Sequence, residues 1–243
     1  MLRKILATAI LAGLALEANA SLSTGDIAFT AFNADEDGWA MTAFKDIDAG
    51  TTIFFSDNTW NGTSFNATES FHTWNTGLST ITAGTVVRFS AIDAVTRSAS
   101  IGTFSGTGSN FGISATSETI YAYLGTSVSA PTTFLAGVST EGTASLTNAG
   151  LVAGTNALVL TNSTDYAQYT GDRSTQANFA DYRALVNNAA NWHILVGGTQ
   201  ELQVPNTTNF TVSAVPVPAA VWLFGSALAG FGVINRRKRQ ITL

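Results

Sequence analysis

Two histidines and no cysteine set most of the chemistry open to this 243-residue chain. His72 lies in Phe71-His72-Thr73-Trp74, and His193 in Asn191-Trp192-His193-Ile194. Each reads as a strand residue beside a tryptophan. A zinc site needs further His or carboxylate ligands at short spacing, and no His-Glu-x-x-His pattern occurs. Without Cys, the chain has no disulfides, thiolate metal sites or cysteine nucleophiles. No Gly-x-Ser-x-Gly elbow marks a serine hydrolase, and Gly106-Thr107-Gly108-Ser109-Asn110 reads as a loop. No Gly-rich motif suited to phosphate is present. Paired carboxylates for glycoside hydrolysis would have to converge from distant strands, and none of the six glutamates stands in an aromatic-rich motif. The expectation is a protein that is not an enzyme.

The densest group of acids is Asp35-Glu36-Asp37, followed by Gly38, with Asp26 and Asp57-Asn58 on neighbouring runs. Calcium takes about six to eight oxygen ligands, and carboxylates on adjacent loops can supply them. Asp35, Glu36, Asp37 and Asp57 are therefore candidate calcium ligands, and no other cofactor is indicated. The same residues also suit a solvated turn, because Asp and Gly favour turns. A second group is aromatic: Trp39, Trp60 and Trp74 with Phe55, Phe65 and Phe71. Exposed, they would stack on sugar rings. Strand aromatics otherwise belong to a core.

These residues must be positioned by short strands. Asp26–Asn33, Trp39–Phe44, Thr51–Ser56, Thr85–Ser90, Thr119–Leu124, Thr132–Ala136 and Ala157–Leu160 are β-branched and aromatic runs between Gly-bearing turns. Trp192–Val196 and Thr207–Ser213 complete the series. Phe179, Tyr182 and Val186 have helical spacing, which predicts one short helix near 176–187. Ala-Gly-Thr recurs before the runs that follow Asp48, Thr82 and Val152, as strand-initiating turns and not as a tandem repeat. The predicted class is an all-β sandwich, immunoglobulin-like or jelly-roll, in one domain over residues 21–213.

Both ends of the chain differ from this body. Arg3 and Lys4 precede an apolar run from Ile5 to Leu16, then Ala18-Asn19-Ala20. That order predicts a signal peptide over residues 1–20, cut between Ala20 and Ser21 by a signal peptidase that reads Ala18 and Ala20. At the other end, residues 214–243 place Pro216 and Pro218 before an uncharged stretch to Ile234, then Arg236-Arg237-Lys238-Arg239. Eighteen helical residues rise about 27 Å, close to the ~30 Å bilayer core. A transmembrane helix over 217–235 is expected, with the basic cluster as its cytoplasmic stop-transfer anchor. Of 11 basic residues the two ends hold six, and of 16 acids they hold one. The body is left with five bases and 15 acids, near −10. That charge disfavours nucleic-acid binding, which needs a basic footprint.

Val215-Pro216-Val217-Pro218-Ala219-Ala220-Val221-Trp222-Leu223-Phe224-Gly225-Ser226, with its basic end, resembles the PEP-CTERM sorting signals of Gram-negative bacteria that make exopolysaccharide. The resemblance implies handling by exosortase, a membrane-embedded cysteine-protease-like enzyme. Pro216 and Pro218 then form the recognition motif. Val217 replaces the usual Glu, as in a Val-Pro-x-Pro subgroup. Gly25 to Trp60 is similar to the start of secreted lamin-tail-like, immunoglobulin-type sandwiches, which implies fold and not activity. The expected protein is exported and held transiently in the inner membrane. It is then sorted to the cell surface or matrix, with signal peptidase, exosortase and extracellular polysaccharide as its expected partners. A carbohydrate- or calcium-binding module is the other reading, and a secreted hydrolase a third.

Overall fold

Val, Ile, Thr, Phe and Tyr suit a pleated, half-buried backbone, and here such runs pair into two sheets. The computed structural model describes residues 21–213. Ala18, Ala20, Pro216, Pro218, the helix expected over 217–235 and Arg236–Arg239 lie outside the described residues. In chain order the strands are β1 (Ile27–Asn33), β2 (Gly38–Ala43), β3 (Thr52–Ser56), β4 (Ser70–Asn75), β5 (Val86–Ser90), β6 (Ser98–Ala99), β7 (Thr103–Gly108), β8 (Thr119–Ser127), β9 (Ala130–Ser139), β10 (Ala157–Val159), β11 (Thr164–Tyr169) and β12 (Trp192–Val196). One sheet has the order β12-β11-β1-β2-β5-β6, and the other β10-β9-β8-β3-β4-β7. The pairing is antiparallel except between β9 and β10. The chain changes sheet after β2, β4, β6 and β10. The body is all-β and sandwich-like.

The strands read from the sequence between Asp26 and Leu160 form, and so does Trp192–Val196. Part of the Gly106–Asn110 stretch, read as loop, belongs to β7. Gly106 is tolerated there because it pairs with His72 and leaves a notch that Arg97 and Phe111 fill. The expected helix is a 3-10 turn, Phe179–Asp181, running into α2 (Tyr182–Val186). A second short helix, α1 (Ala144–Asn148), was not expected, since five residues cannot repeat a 3.6-residue pattern. No helix among the described residues is long and apolar enough to cross a membrane.

Thr207–Ser213 is not the last strand. It is an extended strap whose backbone bonds reach the Gly84 turn and an irregular segment around residues 173–176, not a neighbouring strand, so no ladder forms. Phe210 N–H donates to Gly84 O (2.8 Å), Thr211 N–H to Arg173 O (2.7 Å) and Ser213 N–H to Gln176 O (2.8 Å). Phe210 is buried against Phe44, Tyr169 and Tyr182.

Two apolar clusters follow from the period-2 alternation of strands. Trp39, Phe55, Trp74 and Phe89 lie in the main core. Phe71, which alternates with His72 on β4, points the opposite way. It joins Trp60, Phe65, Tyr121, Tyr123 and Leu146 in a second cluster on the other face of that sheet. The loop between β3 and β4 and helix α1 cover this second cluster and fix the ends of the polar site described next.

Candidate functional site

The residues that could do chemistry meet where β3 ends and β4 begins. Ser56, Asp57 and Asn58 leave β3 facing Glu69 and Ser70, so side chains from one end bind the backbone of the other. Asn58 Nδ2 donates to Ser70 O (2.8 Å) and Ser56 Oγ (3.0 Å), while Asn58 Oδ1 accepts from Glu69 N–H (2.8 Å). Ser56 Oγ donates to Ser70 O (2.9 Å). Asp57 Oδ1 accepts from Ser70 N–H at 2.9 Å. These bonds clasp the loop of residues 57–69, and the loop's Trp60 and Phe65 cap the second cluster.

Asn58 is fully buried and has all its polar atoms engaged. We expect Asn58→Leu to leave Glu69 N–H without a partner and to take from Ser70 O one of its two donors, Ser56 Oγ remaining. Each unsatisfied buried group costs about 1–3 kcal/mol. Urea unfolding should show a lowered midpoint at unchanged slope. An unchanged midpoint would rule out the clasp.

A polar chain runs inward from the clasp. Ser70 Oγ lies 3.1 and 3.0 Å from the two Asp57 carboxyl oxygens and 2.9 Å from His72 Nε2. Ser70 and His72 share a strand face because they are two apart on β4. The serine stands in the middle, whereas a nucleophilic triad places histidine between serine and acid. Ser70 is 0 % exposed and His72 1 %. The adjoining crevice, lined by Trp39, Ser56, Asp57, His72, Ile92, Ile113 and Ile120, has no room for a water molecule. The arrangement can hold and relay a proton; it gives a substrate no path to Ser70.

Burial sets the ionisation of this region. It pushes the Asp57 carboxyl up to about 7, with the nearby Glu69 charge adding to the effect and the Ser70 bonds opposing it. It raises Glu118 to about 8, against the N–H donors of Ser114 and Thr119. Burial and then the Arg97 charge lower His72 to about 3. His72 is therefore neutral in the folded chain at neutral pH. His193 is exposed on β12, opposite Gln168.

The expected calcium ligands are not gathered. Asp35 accepts from Gln200 N–H (2.5 Å), Glu36 pairs with Arg88 (2.5 Å), and Asp37 accepts from Ile113 N–H (2.5 Å). Asp57 belongs to the separate chain with Ser70 and His72. Among the described residues no group of three or more His or acidic side chains is placed to hold a metal ion. The physical reason is that each acid of the 35–37 turn ties a different neighbouring segment to it. Burial raises Asp37 to about 6 and also raises Glu36, opposed by Arg88.

The tryptophans considered for sugar stacking are interior. Trp39, Trp60 and Trp74 are 2 %, 8 % and 0 % exposed. Trp60 Nε1 donates to Asn148 O (3.1 Å) and Trp74 Nε1 to Ile101 O (2.7 Å). Ser70, Arg97 and Glu118 were not singled out from the sequence. Ser70 was within reach of strand periodicity, two residues before His72. Glu118 and Arg97 come from other strands and loops and carry no local signal. No family, curated protein or solved structure matches this chain.

Proposed function

We propose that this chain is an exported, non-enzymatic surface or matrix protein of a Gram-negative bacterium, sorted by an exosortase-type enzyme. The observation that carries the reading is the three-part tail: Pro216 and Pro218, the uncharged stretch to Ile234, and Arg236–Arg239. The signal-peptide pattern ending at Ala20 supports export, and the tail then supplies transient anchorage in the inner membrane. The two-sheet body with buried tryptophans favours a structural role in an exopolysaccharide matrix over sugar stacking by Trp39, Trp60 or Trp74. We assign the sandwich to the immunoglobulin-like type, on the resemblance of Gly25–Trp60 and the repeated passage of the chain between sheets.

The test is fractionation of tagged protein in cells with and without exosortase, combined with intact mass. The expected result is a mature species lacking residues 1–20 and the apolar tail, with the membrane-bound precursor accumulating when exosortase is absent. A mature mass that still includes residues 219–243 would sink the sorting reading. Replacing Pro216 and Pro218 together should produce the same accumulation in cells that have the enzyme.

A further inference from the structure

The described body has five cations, and four have an evident place. Lys45 and Arg183 flank Asp26 (3.9 and 2.7 Å), and Arg88 pairs with Glu36. Arg173 donates to the carbonyl of Thr208 (2.6 Å) and lies over Phe210. Arg97 differs. Its Nε donates to Ala94 O (3.1 Å) and its guanidinium lies 4.1 Å from the Phe111 ring centroid, with no carboxylate partner among the described residues. Its Nη1 is buried without a hydrogen-bond partner, and so is His72 Nδ1. Buried charge ordinarily has an opposite charge or a full set of hydrogen bonds.

Both orphan atoms face one notch. Gly106 has no Cβ; one placed there would overlap Arg97 Nη1 and stand 3.0 Å from His72 Nδ1. Phe104 stacks on the His72 ring at 5.1 Å, and Phe111 meets it edge-on at 5.8 Å. In this structure Arg97 Nη1 and the edge of Phe111 fill the notch over the imidazole nitrogen, so a ligand enters only as the guanidinium swings outward. Arg97 is only partly buried as a residue, so its stem can carry the guanidinium outward.

We propose that Arg97 and His72 form a carboxylate-binding site over Gly106. A carboxylate oxygen between them accepts from both, and a guanidinium fork suits such a group. The site does not depend on the sorting reading.

The polar chain behind His72 decides when Nδ1 can donate. With Asp57 protonated, Asp57 donates to Ser70 Oγ and Ser70 donates to His72 Nε2, which leaves a proton on Nδ1. With Asp57 ionised, Ser70 donates to Asp57 and Nε2–H donates to Ser70, so Nδ1 becomes an acceptor and suits Arg97 directly. Glu69 and Glu118 are the charges that act on Asp57, and Arg97 the one that acts on His72. Carboxylate binding therefore strengthens as Asp57 takes up its proton.

The experiment follows the His72 ring nitrogens by NMR in the 21–213 body within the full mature protein, titrated with acetate and with glucuronate at about pH 5 and pH 8. The expected result is a Nδ1 shift with either probe, larger at the lower pH. Arg97→Gln should weaken binding about tenfold or more. Gly106→Ala should abolish it by filling the notch, and thermal unfolding checks that both variants remain folded. No shift with either probe at either pH would overturn the proposal. So would a response to chloride as large as that to acetate, or a shift that survives in folded Arg97→Gln.

Discussion

Trp39→Ala should lower the stability of the body by about 3–5 kcal/mol, the usual cost of deleting a large core aromatic. Trp39 projects from β2 of one sheet into side chains of the other. Its ring lies 5.1 Å from Phe55 on β3, 6.0 Å from Phe104 on β7 and 5.7 Å from His72 on β4. Phe89, on β5 of its own sheet, stands 5.5 Å away. Removing the ring opens a cavity at the junction of the sheets, and close-packed neighbours can collapse into it only partly. In a domain of this size each kcal/mol shifts Tm by about 2–4 °C, so calorimetry should record a fall of about 6–20 °C. Trp39→Phe should cost much less, because Trp39 Nε1 is buried with no hydrogen-bond partner and Phe removes that atom while keeping a ring. The result also bears on function. A sugar platform would lose polysaccharide binding at unchanged Tm, and that outcome would refute the core assignment.

The second large effect is on pH dependence. We expect the body to be most stable at about pH 4–5 and to lose stability as pH rises toward 8. Asp57, Glu118 and Asp37 have folded values of about 7, 8 and 6, against about 4 when unfolded. Glu36 and Glu69 are raised as well. Over that interval the folded chain keeps protons that the unfolded chain has released, so rising pH favours unfolding. His72 acts with the opposite sign. Its folded value is lowered to about 3, so its contribution is present above about 6.5 and is lost as pH falls toward 3. Between about pH 4 and 6.5 the carboxylates outnumber the single histidine, and their sign prevails. Below about 4 the unfolded carboxylates are protonated too, and only the histidine loss remains. Chemical denaturation across pH 3–9 measures the profile, and Asp57→Asn with Glu118→Gln should flatten its upper limb. A maximum at pH 7–8 would contradict the assignment of buried, protonated acids.

Much of the fold was legible because alternation and Gly-bearing turns are local properties. Asp26–Asn33, Thr51–Ser56 and Thr119–Leu124 carry strand-forming residues between clear turn signals. Thr164–Tyr169 was missed, and of Ser70–Asn75 only the stretch around His72 was read as strand, because polar and apolar residues mix there and pairing with neighbouring strands supplies the order. Thr207–Ser213 looks like a strand in composition, yet it has no ladder partner, since its bonds run to the Gly84 turn and to the irregular segment of Arg173 and Gln176.

The candidate site was legible only in fragments. The sequence by itself determined a Cys-free, acidic, β-forming body between two apolar ends, because composition and periodicity need no partner to be read. It also showed Asp57-Asn58 and His72 as separate short motifs. Tertiary structure alone decided that Asp57 joins Ser70 and His72 and not the 35–37 turn, that the tryptophans are core, and that Arg97 meets His72 over Gly106. Those outcomes depend on which strands become neighbours and on burial, and burial is what turns ordinary acids and histidines into groups with shifted protonation.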